Sequence, residues 1–163
     1  MHVRPATDAE VDQLAELWHQ GWRDAHLQIV PAELARLRTF EGFRARLRAA
    51  LWTVRVIGPA GAPVGFYMLK GDELYQLYVS AEARGSGVAA TLIDDAEAKL
   101  AESGVDVAWL GCAIGNQRAA RFYEKRGWQR RGTIVSELET PEGSFQLEVW
   151  RYEKPLRRVS DTV

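Results

Sequence analysis

The chain has 163 residues, of which 47% are hydrophobic and 26% are charged, and its formal net charge is −1. This length predicts one domain whose core needs no disulfide or metal, and the nearly neutral charge excludes a general nucleic-acid binder. The one cysteine, Cys112, excludes an internal disulfide framework, and no apolar run is long enough to span a bilayer. We therefore expect a cytoplasmic protein without a membrane or nucleic-acid partner.

The N-terminal part of the sequence predicts a strand followed by helices. His2 to Ala6 is typical of a short strand, and Thr7 with Glu10 forms a capping box that starts a helix. Apolar residues at helical spacing continue this helix to about residue 26 and share one stripe: Val11, Leu14, Ala15, Trp18 and Trp22. Two more helical segments follow over 31–37 and 40–51, and the second has three arginines expected on its solvated side: Arg44, Arg46 and Arg48.

The periodicity then changes to that of a sheet. Three extended segments joined by short turns, over 52–57, 63–69 and 73–79, predict an antiparallel meander. A helix over 87–103 and a strand over 105–113 follow, and this order predicts that the strand is parallel to its predecessor. The strand is apolar almost throughout, so we expect it to be buried on both faces.

The last part of the sequence adds a short helix over 116–126 and two strands over about 128–138 and 144–152. Together these elements predict a mixed α+β (α/β) fold class. Its sheet has about seven strands, mostly antiparallel with a parallel central pair, and helices flank both faces. We expect a single domain over 1–154 and a flexible tail over 155–163.

One segment between a predicted strand and a predicted helix has the features of a pyrophosphate-binding turn. It reads Arg84-Gly85-Ser86-Gly87-Val88-Ala89. The glycines let the backbone approach a ligand closely, and the first N–H groups of the helix lack intrahelical partners while its dipole attracts anions. Arg84 adds a positive charge. Taken alone, the segment is equally compatible with a tight strand-to-helix turn.

A second segment opens the short helix and continues to Trp128. Asn116 can cap this helix, and Tyr123 lies about two helical turns further on, so the two side chains share a face. Ala119 lies between them and is small enough to let a ligand approach the helix. The alternative is that Tyr123 and Phe122 are core aromatics and that Asn116 is only a cap.

In this order and spacing, the two segments resemble the GNAT superfamily of acyl-CoA-dependent N-acyltransferases. The family's pyrophosphate loop is matched by Arg84-x-x-Gly87-x-Ala89. The helix motif that follows it in the family is matched by Asn116-x-x-Ala119-x-x-Phe122-Tyr123-x-x-x-Gly127-Trp128. The segment Leu77-Tyr78-Val79 is similar to the family's central strand.

The resemblance implies that acetyl-CoA is the co-substrate. Backbone groups of Leu77, Tyr78 and Val79 would pair with its pantetheine arm, where the central strand splays from the next parallel strand. The N–H group of Val79 or of its neighbour would polarise the thioester carbonyl. The pyrophosphate would be held by backbone N–H groups of Arg84, Gly85, Ser86, Gly87, Val88 and Ala89.

On the short helix, the resemblance implies that Asn116 hydrogen-bonds the pantetheine arm beside Ala119 and Phe122. It also implies that Tyr123 lies near the sulfur. When a neutral amine attacks the thioester, the phenol of Tyr123 can return a proton to the leaving thiolate, because the two groups have pKa values of about 10 and about 8.5. Tyr123 is therefore the candidate catalytic acid.

Glu73 is the candidate base for the proton that the amine loses. By strand alternation, Glu73, Tyr75, Leu77 and Val79 share one face, which places Glu73 on the side of the reacting centre unless a bulge intervenes. Two alternatives stay open: Glu73 is a solvated carboxylate beside a turn, or Glu137 or water accepts the proton.

The sequence leaves the amine acceptor open between a small molecule and a peptide. In the family, the segment after the first helix and the final hairpin often line the acceptor pocket, which makes Trp22 and His26 candidate acceptor-binding residues, together with 136–145. A lone histidine without a second ligand at metal spacing predicts no metal site.

Other functions are compatible with the same fold. The acyl group could differ from acetyl, or the protein could bind acyl-CoA without turnover. A Rossmann dinucleotide domain is disfavoured, because the loop follows a meander and lacks the G-x-G-x-x-G spacing. Whether the protein is a monomer or a homodimer is left open.

Overall fold

Helical stripes and strand alternation produce the elements that the sequence predicts. The computed structural model describes residues 2–156. The helices in this range are α1 (Val11–His26), α2 (Ala32–Leu37), α3 (Phe40–Ala49), α4 (Val88–Glu102) and α5 (Gln117–Lys125). The strands are β1 (Val3–Pro5), β2 (Val54–Ile57), β3 (Gly65–Lys70), β4 (Glu73–Val79), β5 (Val107–Ala113), β6 (Gln129–Thr140) and β7 (Gly143–Pro155).

The strands form one sheet in the order β1-β2-β3-β4-β5-β7-β6. Neighbouring strands are antiparallel except β4 and β5, which are parallel. Helices cover both faces of the sheet. We call these the α1 face, where α1 and α3 pack, and the α4 face, where α4 and α5 pack. The predicted fold class is confirmed.

The predicted apolar stripe of α1 builds the core of the α1 face. Leu14 and Trp18 are fully buried there with Phe43 of α3 and Phe66 of β3. The capping box also forms, since Glu10 accepts a hydrogen bond from the N–H of Thr7 at 3.1 Å. A stripe of this kind buries apolar area from both partners and fixes how α1 lies on the sheet.

The main differences from the predicted boundaries lie at strand ends. Leu51–Thr53 form a short 3-10 turn that leaves Trp52 88% exposed, so β2 begins at Val54 instead of residue 52. At the other end, Pro155 still pairs with Val107, and the N–H of Leu156 donates to the carbonyl of Asp106 at 2.8 Å. The ordered chain therefore continues past the predicted tail boundary, and the rest of that tail, 157–163, lies outside the described residues.

The strand β5 differs from its prediction in burial. Ala108, Leu110 and Cys112 are buried on the α4 face, but the residues that alternate with them are not: Val107 is 46% exposed and Gly111 is also exposed. The apolar run is therefore not buried on both faces. The small residues Gly111 and Ala113 leave space on the α1 face of β5, and that space is part of the site described below.

Candidate functional site

The two parallel strands separate almost as soon as they meet. Within residues 2–156, β4 and β5 pair only at Glu73 with Trp109, where the Trp109 N–H donates to the carbonyl of Asp72 at 3.2 Å. On the other edge of β4, the Ser80 N–H donates to the Val64 carbonyl at 2.8 Å. Because N–H directions alternate along a strand, the N–H group of Val79 is directed into the gap between β4 and β5.

The loop before α4 is an open turn with a helix N-terminus at its end. Gly85 and Gly87 have φ of +78° and +87°, and a Cβ on either would meet no atom within 4 Å. The N–H groups of Arg84 and Ser86 donate inside the loop, to the carbonyls of Ala81 and Ala83. The N–H groups in the first turn of α4 have no intrahelical acceptor and are available to an anion.

The loop and the gap border a cleft of about 350 Å³, which we call the loop cleft. It brings together most of the residues singled out from the sequence: Leu77, Tyr78, Val79, Arg84, Gly85, Gly87, Ala89, Asn116, Ala119, Phe122 and Tyr123. Two others do not line it. Val88 is buried in the core of the α4 face, and the Ser86 hydroxyl donates to the Ala83 carbonyl.

Gly21 is a residue of this cleft that sequence reasoning missed. It lies in the middle of α1, and a Cβ at this position would lie 2.6 Å from Cδ1 of Tyr78. Only glycine therefore lets α1 approach β4 this closely. The signal was present in the sequence, because a glycine inside a helix costs about 1 kcal/mol and usually has a packing or functional reason.

The charge of Arg84 is partnered within the protein. Its guanidinium forms an ion pair with Asp24 of α1 at 3.2 Å, and both side chains are partly exposed. This contact links α1 to the loop. The guanidinium therefore lies beside the loop cleft and is paired with Asp24. Because both side chains are partly exposed, this ion pair is weak.

Tyr123 and Asn116 lie on the face of α5 that borders the cleft. Burial raises the pKa of Tyr123 well above its usual range, with Cys112 and Tyr78 adding to the effect. At neutral pH the phenol therefore keeps its proton and acts as a donor. Asn116 caps α5, since its Oδ1 accepts the Ala119 N–H at 3.3 Å, and its amide nitrogen carries two further donor hydrogens.

Cys112 is buried beside these residues. Burial raises the pKa of its thiol to about 11. The thiol is therefore protonated at neutral pH and is a poor nucleophile.

A β-bulge in β4 changes the faces expected from alternation. Leu69 of β3 lies opposite Leu74 and Met68 lies opposite Gln76, so Tyr75 is an extra residue without its own partner. Tyr75 packs on the α1 face, whereas Leu77 packs on the α4 face. The prediction that Leu77 and Val79 share a face with Glu73 and Tyr75 is therefore wrong.

Because of the bulge, Glu73 borders a second cavity, on the α1 face. This cavity has a volume of about 120 Å³, and we call it the arginine cavity because it contains Arg38 and Arg46. It also contains both residues proposed from the sequence for the acceptor, Trp22 and His26. The structure thus brings the three candidates together with two arginines that sequence reasoning did not assign to the site.

A small third cavity joins the other two through the sheet. This gap cavity, of about 90 Å³, shares Asn116, Ala119 and Tyr123 with the loop cleft. It shares His26 and Gly111 with the arginine cavity. The three cavities therefore adjoin one another at the gap between the splayed strands, and we call this junction the passage.

Two titratable groups of the arginine cavity can accept a proton near neutral pH or below. Burial raises the pKa of Glu73 to about 7, although Lys70 opposes this shift. Burial also lowers the pKa of His26 to about 4. The His26 Nδ1 lies 3.1 Å from the Trp22 carbonyl, which can only accept, so Nδ1 carries the proton and Nε2 is an acceptor.

The expected solvation of Arg46 is wrong, while Arg48 is exposed as predicted. The Arg46 guanidinium lies 4.4 Å from the centroid of the Trp18 ring and donates to the Tyr75 hydroxyl at 2.7 Å. Charge alone predicted a surface position, but the aromatic side chains that receive Arg46 come from α1 and β4, and only the folded chain brings them together.

Residues 2–156 contain no cluster of three or more His, Cys, Asp or Glu side chains placed to hold a metal ion. No helix in this range is long and apolar enough to cross a membrane.

Comparison with known proteins agrees with this geometry. The model of the acetyltransferase (GNAT) family matches residues 11–128. An uncharacterized N-acetyltransferase of Mycobacterium tuberculosis (strain H37Rv) is 38% identical over 114 residues, which cover 67% of this chain and 70% of the relative.

Solved structures share the fold. A GCN5-related N-acetyltransferase from Rhodopseudomonas palustris superposes with a TM-score of 0.73 at 23% identity, covering 94% of each chain. The PaiA N-acetyltransferase from Thermoplasma acidophilum, solved in complex with coenzyme A, gives a TM-score of 0.71 at 18% identity and covers 94% of this chain and 98% of its own.

Proposed function

Because this chain belongs to the GNAT acetyltransferase family, we propose that it transfers an acetyl group from acetyl-CoA to a primary amine by direct attack in a ternary complex. The observation that carries the proposal is the passage between the loop cleft and the arginine cavity. Two substrates bound in these two cavities would meet there. A covalent acetyl-enzyme is not needed, and buried Cys112 is protonated.

The loop cleft fits coenzyme A. Its glycine turn leaves open space beside the N-terminus of α4, which suits a pyrophosphate. The unpaired edge of β4 near Val79 suits an extended arm that pairs like an added strand. Asn116 would donate to that arm from its amide nitrogen. When bound, acetyl-CoA supplies an activated acetyl thioester.

The residues around the passage can complete the proton transfers. Forming an amide removes a proton from the attacking nitrogen, and the departing sulfur needs one. Glu73 is placed to accept the first proton, since its pKa of about 7 leaves a large fraction ionised at neutral pH. Tyr123 holds its proton and would donate it from the phenol to sulfur. His26 Nε2 can accept a hydrogen bond from the incoming amine.

The direct test is release of free thiol from acetyl-CoA in the presence of a panel of amines: polyamines, amino acids, aminoglycosides and short peptides. The thermal shift given by acetyl-CoA is measured in parallel. Turnover with one class supports the proposal and names the acceptor. A thermal shift without thiol release from any amine would instead identify a module that binds acyl-CoA without turnover. No shift and no release would contradict the coenzyme A site itself.

A further inference from the structure

The arginine cavity contains a buried cation without an anionic partner. Arg38 is 7% exposed and lines this cavity. One of its nitrogens donates to the Glu139 carbonyl at 2.5 Å, while its buried Nε has no hydrogen-bond partner in the described part of the chain. Within residues 2–156, no carboxylate lies within ion-pair distance of this guanidinium, which is an unfavourable state for a buried charge.

A second guanidinium enters the same cavity. Arg46 donates to the Tyr75 hydroxyl and stacks on Trp18, but its buried Nε also lacks a partner among residues 2–156. Burial and the nearby charge of Arg46 lower the pKa of Arg38 to about 10, against the attraction of Glu139. The guanidinium of Arg38 is therefore protonated at neutral pH, and repulsion from the nearby charge of Arg46 adds to the cost of leaving it unpaired.

The acidic groups near this cavity offset at most part of this positive charge. Glu73 lines the cavity, but burial raises its pKa to about 7, so it is only partly ionised at neutral pH, and the carboxyl of Glu139 is on an exposed residue. Two like charges with unused donors in one small cavity favour a ligand that brings an anion. Guanidinium groups bind carboxylates with particularly good geometry, because their donors match both oxygens.

We propose that the acetyl acceptor is a small primary amine that also carries a carboxylate, with Arg38 and Arg46 binding the carboxylate while the amine faces Glu73 and the gap cavity. This rests on the proposed function, since it specifies the substrate of the same site. The volume of about 120 Å³ favours a small molecule, because pockets for larger ligands measure about 300–1,000 Å³. A polyamine would add positive charge to a cavity that already holds two cations.

The test uses acceptors that differ only at the carboxylate: free amino acids, their amides, and the corresponding decarboxylated amines. We expect the wild-type kcat/KM to be at least about 30-fold higher for the free amino acid than for its amide, since the amide leaves the buried arginines unpaired. Arg38→Met and Arg46→Met should remove most of this preference. Arg36→Met is the matched control, because Arg36 is exposed and pairs with Glu33 and Glu142.

A binding measurement protects the test against loss of activity or folding. With coenzyme A present, amino acids should raise the melting temperature of the wild-type protein and of the Arg36→Met variant, and amides should not. If Arg38→Met does not fold, Arg38→Lys replaces it and should show a reduced preference, since lysine cannot bind a carboxylate through two parallel hydrogen bonds.

The outcomes separate the two proposals. Equal or better turnover of amides, decarboxylated amines, polyamines or peptides would overturn the carboxylate site and leave acetyl transfer standing. Absence of thiol release from every amine would contradict the proposed function. In that case, stabilisation by amino acids but not by amides would still support the carboxylate site, and its absence would overturn it.

Discussion

The loop cleft and the arginine cavity lie at different ends of the gap in one sheet and are built in different ways. The loop cleft depends mainly on backbone groups and small residues from three short segments, 77–79, 84–89 and 116–123, with Gly21 and Ala25 of α1 closing one side. The arginine cavity depends on single side chains from α1, α3, the end of α2 and four strands. Backbone recognition needs glycines, a helix N-terminus and a strand edge, and short sequence patterns encode these directly.

This difference explains why one substrate can be named from the sequence and the other cannot. A phosphate held by N–H groups requires few particular side chains. An acceptor held by charged side chains requires those side chains to converge, and their convergence depends on packing across the whole domain. Variants in the loop cleft should therefore change the affinity for coenzyme A, and variants in the arginine cavity should change the turnover of the acceptor.

The largest effect is expected at the passage between the two sites. Tyr123→Phe should lower kcat by about 10²–10⁴-fold, the usual contribution of a positioned acid, while acetyl-CoA still raises the melting temperature. The control is Tyr67→Phe, which removes a buried hydroxyl that donates to Asp95 at 2.5 Å, away from all three cavities. Thiol release at saturating acetyl-CoA measures the effect. Equal kcat values for the two variants would remove Tyr123 from the mechanism.

The next effect concerns the acceptor side and its pH dependence. A base with a pKa of about 7 is ionised only above that pH, so wild-type kcat should rise with pH below 7 and level off above it. Glu73→Gln should remove this limb and lower kcat about 100-fold at neutral pH. His26 has a pKa of about 4 and is neutral throughout this range, so it produces no limb near 7.

Glu137→Gln is the matched control for this prediction. Glu137 is an exposed carboxylate on β6 that accepts a hydrogen bond from Gln146 at 2.8 Å. Its variant should keep the wild-type pH profile. A profile that survives Glu73→Gln but is lost in Glu137→Gln would assign the base to β6 instead.

A smaller effect separates cofactor binding from stability. Gly87→Ala and Gly71→Ala each place a Cβ at positive φ, of +87° and +61°, and each should cost about 1–2 kcal/mol of stability. Only Gly87 lies in the turn before α4, so only its variant should weaken coenzyme A binding, by about tenfold for one lost hydrogen bond to a charged group. Calorimetric titration measures both affinities. Similar losses of affinity would show that strain alone is responsible.

The smallest effect is expected at the ion pair that joins α1 to the loop. Asp24→Asn releases Arg84 from its 3.2 Å partner, so coenzyme A should bind up to about fivefold tighter at low salt, within the range of exposed ion pairs. Salt should abolish the difference. Asp12→Asn breaks the pair with Arg44 elsewhere on α1 and should change nothing. Weaker binding in Asp24→Asn would mean that the pair positions Arg84 productively.

The sequence motifs single out residues that lie together in the fold. Gly85, Gly87, Asn116 and Tyr123 all line the loop cleft, and their role in binding coenzyme A stays a prediction. On the acceptor side, Trp22, His26 and Glu73 do meet in one cavity, but Glu73 arrives there for a reason that alternation did not give. The bulge at Tyr75 places Leu77 and Val79 on the opposite face from Glu73, and the residue type at position 75 does not predict a bulge.

What the sequence by itself determined is the class of fold, the order of its elements and the glycine turn before α4, because each follows from local periodicity, capping and glycine placement. Only the tertiary structure decided that buried Arg38 and half-buried Arg46 share a cavity with a bulged strand, and that this cavity adjoins the gap in the splayed sheet. Burial of a charge is a property of its surroundings. The surroundings of Arg38 come from segments more than a hundred residues apart, such as Glu139.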